Sequence, residues 1–162
     1  MASRLNEQAH VPVDPLRQHR FGWQKVWQIF LYLLFALWWG GLTFYAVIVV
    51  PAATDAFGST AQGFVTQRVT NAHNCLLVLM ALCLVAENWV RPGRWLGVVT
   101  IGLVVAAGLL IFQHAQLSAL MNFSERSVPE SFYSEHAIYL WLTAVEWGLG
   151  IVVLVLLLQW ND

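Results

Sequence analysis

Four apolar stretches, Trp27–Val50, Val69–Val90, Trp95–Gln113 and His136–Trp160, fill most of this chain. Each is close to the ~20 residues an α-helix needs to cross a hydrocarbon core. The chain therefore reads as four membrane spans. A soluble domain of 162 residues would lack the polar surface it needs, because 59% of the residues are hydrophobic and 10% charged, and the mean hydropathy is +0.62. A formal net charge of −1, with eight Lys and Arg residues scattered along the chain, argues against nucleic acid as a partner. The partners expected are membrane lipids and other membrane protein subunits.

Residues 1–22 are polar, carry Pro12 and Pro15, and lack the apolar core of a cleavable signal peptide. They read as an extended or surface-lying cytoplasmic tail, with the transmembrane domain covering 23–162. Arg4, Arg17, Arg20 and Lys25 precede the first span, and Arg91 and Arg94 sit in the Asn88–Arg94 turn, while Arg68 and Arg126 fall on the other side. Six basic residues against two place both termini inside, in a bacterial cytoplasmic (inner) membrane. Trp23, Trp27, Trp89, Trp95 and Trp160 would mark the inner boundary, where an indole buries its ring and keeps its N–H wet. Pro51 is expected to stop the first helix, Pro92-Gly93 to make a tight inner turn, and Ser134-Glu135 to start the fourth helix. The fold class that follows is all-α, a membrane-embedded antiparallel up-down-up-down four-helix bundle. Gly40-Gly41, Gly102 with Ala106, Gly108, and Gly148 with Gly150 would let the helices approach closely. Cys75 and Cys83, ~12 Å apart along one helix, cannot bridge each other and read as small buried residues.

Polar side chains inside a span are expensive and mark candidate sites. With these span boundaries His73, His114 and His136 all fall at the outer ends of helices two to four, so three imidazoles could meet at one level. Imidazoles from different helices suit copper, zinc or a b-type haem iron, with Asp55, Glu135 or Gln113 as oxygen ligands or as acceptors orienting a ring. Arg68 and Arg126 could meet haem propionates. Packing and headgroup hydrogen bonds account for boundary histidines equally well, since no His-x-x-His or Glu-x-x-His pair is present.

Glu146 is the sharper anomaly. It lies ten residues, or ~15 Å, into the fourth span, with no Lys or Arg at that depth. A protonated Glu146 could donate to a backbone carbonyl, Thr43 or Thr143 while accepting from Trp38 or Trp39, which makes it interhelical glue. The functional alternative is a carboxylate that binds a proton or ion on a pathway, and that reading needs further polar residues at depth. Glu87 sits one turn before Arg91, in position for an i,i+4 pair at the inner boundary. His73, Met80 and Glu87 share a face with Leu77 and Leu84, the pattern of a core stripe.

Gly40-Gly41-Leu42-Thr43-Phe44-Tyr45 running to Val49-Val50-Pro51, then Gln62-Gly63-Phe64-Val65-Thr66 and Val69-Thr70-Asn71, resemble a group of uncharacterised bacterial four-span proteins of planctomycetal type. Phe132-Tyr133, His136, Tyr139-Leu140, Thr143 and Trp147-Gly148 continue the likeness. It implies topology and no reaction. A more distant similarity, through fold and outer histidines, is to the copper-resistance D type of membrane protein. Glu146 stands where the closer group would have Gln, which favours a neutral, hydrogen-bonding Glu, and Ala137 stands where Arg would be expected.

The sequence thus points first to a non-enzymatic integral membrane protein, an accessory or scaffolding subunit of a larger membrane complex. The alternatives are a small haem- or copper-binding protein using His73, His114 and His136, and a proton- or ion-conducting protein using Glu146.

Overall fold

The computed structural model describes residues 15–159 apart from Arg126. The expectations for the first 14 residues, Arg126 and Trp160 lie outside the described residues. The chain divides at Phe30 into two units. In the first, the described residues from Pro15 on are helical. Residues 15–22, expected to be irregular, are helical. Trp27 stacks on Phe30 within this unit at 5.5 Å.

The second unit is an all-α four-helix bundle. Its first rod is the part of α1 (15–57) from Leu31 onward: the α-helix that ends at Phe35 widens into a π-turn at Ala36–Gly40, returns to α at Gly41–Phe44, widens again at Tyr45–Val49 and ends as α over Val50–Phe57. Pro51 does not stop it. The proline sits at the start of the last segment, just after a π-turn, where its missing donor and its ring are accommodated. The turn to α2 (Ser59–Val90) is Gly58 alone, at φ 81°, a conformation a residue with a Cβ adopts poorly. Arg91 to Gly93 then form the short turn expected at Pro92-Gly93, leading to α3 (Arg94–Leu120). The fourth helix, α4, runs over Ser131–Gln159, one turn earlier than Ser134-Glu135 predicted.

All four rods contain stretches long and apolar enough to cross a membrane: Gly22–Phe57, Ala61–Val90, Arg94–Leu120 and Ser131–Gln159. This is the pattern of a multi-pass integral membrane protein. Each stretch is longer than the apolar run read from sequence, because polar residues at the ends belong to the helices. Trp89 and Trp95, beside the short turn, are exposed as an interfacial indole would be.

Contacts fix the antiparallel order. The Tyr32 hydroxyl donates to the Leu157 carbonyl at 2.6 Å, and Trp38 bonds Glu146, so numbers fall along α4 as they rise along α1. Gln67 Nε2 donates to Ser118 Oγ at 2.9 Å across α2 and α3, and Gln113 Nε2 donates to the Glu135 carboxylate at 2.6 Å across α3 and α4. The core is filled by Leu31, Leu34, Leu77, Met80, Leu84, Leu103, Leu110, Val153 and Leu157. Among the glycines expected at helix contacts, a Cβ on Gly102 would touch Leu149 at 3.4 Å and one on Gly150 would overlap the Trp39 indole, whereas Gly40, Gly41, Gly108 and Gly148 face open space. Cys83 is buried as expected, but Cys75 is exposed, because it points off α2 to the side of the bundle. Glu87 and Arg91 form their i,i+4 pair at 3.5 Å, with the carboxylate buried.

Candidate functional site

Glu146 is 1% exposed and is the centre of a hydrogen-bonded group at mid-bundle. Its Oε1 accepts from Trp38 Nε1 at 2.7 Å and lies 2.9 Å from His73 Nε2. The three residues come from α1, α2 and α4. Each lies near the middle of its apolar stretch: Trp38 in Gly22–Phe57, His73 in Ala61–Val90 and Glu146 in Ser131–Gln159. The carboxylate that sequence reading left without a basic neighbour therefore has one, an imidazole two helices away.

A second layer holds the indoles. Trp39 Nε1 donates to the Trp147 carbonyl at 2.9 Å, and the two rings stack at 5.4 Å. Trp147 Nε1 donates to Thr43 Oγ1 at 3.0 Å, while Thr43 donates back to the Trp39 carbonyl at 2.8 Å. Thr43 thus satisfies two tryptophans with one hydroxyl, and Gly150 leaves the space that Trp39 occupies. Trp38, the residue before Trp39, donates to Glu146.

From this plane toward the Gly58 end, the facing sides of the helices are polar. Thr66, Thr70 and His73 on α2, and Tyr139, Thr143 and Glu146 on α4, each follow 4 then 3 residues and so share one helical face. The two helices run parallel, which sets the stripes side by side. The Tyr139 hydroxyl interacts with the Thr70 and Thr143 hydroxyls, and Thr143 donates to the Tyr139 carbonyl at 2.9 Å. Tyr45, about two turns beyond Trp38 on α1, brings its hydroxyl beside Thr66; that oxygen is buried with no hydrogen-bond partner. Trp38 and Trp39 lie in the first π-turn of α1 and Tyr45 in the second, and π-turns recur at functional positions because they swing side chains out of α register. On the other side of Glu146 the buried side chains are mainly apolar, Leu31, Leu34, Leu77, Met80, Leu84, Val153 and Leu157, with the Glu87 carboxylate buried farther along α2.

The three histidines expected to form one metal or haem site go separate ways. The nitrogen His73 would offer a metal is engaged with Glu146. The His136 ring stacks on Phe132 at 5.7 Å. His114 lies 6.3 Å from the Tyr139 ring and its Nε2 is buried without a partner. Among the described residues no three His, Cys, Asp or Glu side chains gather as metal ligands. The physical reason is the true start of α2. Read from Val69, the helix puts His73 at a boundary; with the apolar stretch beginning at Ala61 it lies at mid-depth. Gln113 and Glu135, considered as ligands, are bonded to each other.

Comparison with family models, curated proteins and solved structures finds no match for the chain. The reading of the site therefore rests on its own geometry.

Proposed function

We propose that this protein binds and releases a proton inside the membrane at the Glu146–His73 pair. The observation that carries the reading is the double approach of Trp38 Nε1 and His73 Nε2 to one buried oxygen, Glu146 Oε1, at 2.7 and 2.9 Å. The pair is electrically neutral in two forms, carboxylic acid with neutral imidazole or carboxylate with imidazolium. Both hold one proton more than carboxylate with neutral imidazole, and that is the proton proposed to be exchanged; the Trp38 N–H, still donating to the charged oxygen, offsets part of the cost of its departure at bilayer depth.

The hydroxyl stripes of Thr66, Thr70, Tyr139 and Thr143 supply the further polar groups that a route to such a carboxylate requires. With both termini inside a bacterial cytoplasmic membrane, as the charge bias implies, that route faces outward. The leucines, Met80 and Val153 beneath Glu146 separate it from Glu87, which is paired with Arg91 near the other end of α2. One-sided access suits a component that works with a partner, so the accessory-subunit role expected from sequence is the setting we propose for it.

The test is infrared difference spectroscopy of the full-length protein in lipid, titrated over roughly pH 4 to 10. A carboxyl band that appears and disappears with pH, is lost in Glu146→Gln and moves its midpoint in His73→Gln is the expected result. A wild-type spectrum with no Glu146-dependent titration in that range would overturn the proposal.

A further inference from the structure

Glu135 has no bond to the Glu146 group, yet it shares a helix face with it. It lies four residues, ~6 Å, past the start of α4 at Ser131 and is partly exposed. Glu135, Tyr139, Thr143 and Glu146 follow 4, 4 then 3 residues, so the carboxylate stands on the hydroxyl stripe, one turn beyond Tyr139 toward the Gly58 end. On α2, Gln62, Thr66, Thr70 and His73 repeat that spacing. Contacts agree with the register. Gln113 Nε2 on α3 donates to Glu135 Oε2 at 2.6 Å and to the Glu135 carbonyl at 3.1 Å, and the ring of His114, the next residue on α3, lies 6.3 Å from that of Tyr139. The Tyr139 hydroxyl in turn interacts with Thr70 and Thr143.

The grip on Glu135 leaves its charge free to change. Gln113 is buried, and its amide N–H donates to a carboxyl group whether that group is ionised or protonated, whereas a guanidinium or ammonium would hold it ionised. Among the described residues no Lys or Arg pairs with Glu135, while Glu87, at the other end of the bundle, has Arg91. The titratable groups next to it on the helices it touches are His136, stacked on Phe132, and Tyr139 on α4, and His114 on α3. The hydroxyls further in can pass a proton along, each taking one and giving up its own, but at neutral pH they neither bind nor release one. A route built from them needs a group at its mouth that does both, and Glu135 is the acid on the stripe at that end.

We propose that Glu135 is the proton-collecting carboxylate at the mouth of the route to Glu146, taking protons from water and releasing them to the hydroxyl stripe. The inference rests on the reading of Glu146 as a proton-exchanging site and adds the group that connects it to water.

The test follows the Glu146 carboxyl band by time-resolved infrared spectroscopy after a rapid pH jump, on the full-length protein in lipid nanodiscs. Glu135→Gln keeps an oxygen for Gln113 to bond and removes the acid. It should leave the equilibrium midpoint in place and slow the approach to it roughly a hundredfold, the low end for loss of an acid–base group. Acetate in the buffer should restore the speed, because a mobile acid then replaces the missing one. Glu135→Asp keeps the acid while drawing it away from Gln113, and should recover most of the wild-type rate, which also covers a Gln variant that fails to fold. His136→Gln and Glu130→Gln remove neighbouring titratable groups and should be silent. A Glu135→Gln rate equal to wild type, slowing that acetate leaves unchanged, an Asp variant as slow as Gln, or the same slowing in either neighbour would each overturn the inference and leave the titration of Glu146 standing. A wild-type Glu146 band that does not titrate would overturn both.

Discussion

The two halves of this bundle are made from the same helices and face the same solvent, yet they are built differently. Toward Gly58, α1, α2 and α4 meet through Tyr45, Thr66, Thr70, Tyr139 and Thr143; toward the Pro92-Gly93 turn they meet through Leu31, Leu77, Met80, Leu84, Val153 and Leu157. In lipid there is no hydrophobic gain from bringing leucines together, so the lower half is held by close packing, and interhelical hydrogen bonds average only about 0.6 kcal/mol. The polar half thus adds little stability for the hydroxyls it buries. A buried, unpartnered Tyr45 hydroxyl is a net cost. What the upper half has that the lower lacks is a run of hydroxyls on the side of Glu146 from which the proposed proton route would come, and the boundary between the halves is the Trp38–His73–Glu146 plane.

The comparison breaks most severely at that boundary. Gly150→Ala would drive a methyl into the Trp39 indole; the ring must leave its seat on Trp147, at a cost of about 3 kcal/mol, the upper part of the overpacking range. Unfolding in bicelles should register the loss, and the Glu146 carboxyl band should shift with it because Trp38 moves with its neighbour. An unchanged midpoint would mean that the seat is not needed. Below the boundary, Leu77→Ala removes a fully buried side chain and should cost about 2 kcal/mol, near the low end of soluble cores since lipid rather than water is the reference. It should leave the carboxyl titration where it was, which separates packing from proton binding.

Glu146 divides the two roles directly. Glu146→Leu strands the Trp38 N–H and should cost roughly 0.6–2 kcal/mol in the same unfolding assay. Glu146→Gln keeps an acceptor for Trp38 and should be nearly silent on stability while abolishing the titrating band. A Gln variant as unstable as Leu would make the charge, and not the hydrogen bond, the source of cohesion.

Much of this was legible in the sequence. Length and hydropathy of the apolar runs defined four antiparallel helices, the Pro92-Gly93 turn was readable from its chemistry, and i,i+4 spacing announced Glu87 with Arg91. The depth of Glu146 and the indole at Trp38 made their contact foreseeable. His73 was misplaced for a physical reason. Gln62, Thr66, Gln67 and Arg68 dilute the hydropathy of the first turns of α2, so they read as a loop before Val69. Two of them are polar where they meet other helices: Thr66, like Thr70 after it, faces a tyrosine, and Gln67 bonds Ser118. The residues that build the site are the ones that disguise the helix carrying it. Their spacing, Thr66, Thr70, His73, repeated as Tyr139, Thr143, Glu146, was the available signal. The π-turns had none, since Ala36–Gly40 and Tyr45–Val49 are ordinary apolar helix by composition.

The smallest expected effect probes the upper half alone. Tyr45→Phe deletes a hydroxyl that has no hydrogen-bond partner and keeps the ring that fills the space. Removing an unsatisfied buried group leaves stability unchanged or raises it slightly, by less than about 1 kcal/mol. The hydroxyl nevertheless stands beside Thr66, on the proposed route from the Gly58 end to Glu146. If protons reach the carboxylate along that stripe, the variant should fold as well as wild type, keep the equilibrium midpoint of the Glu146 band, and approach it more slowly after a rapid pH jump. Unaltered kinetics would show that the proton arrives by another way and that the polar upper half serves something other than access.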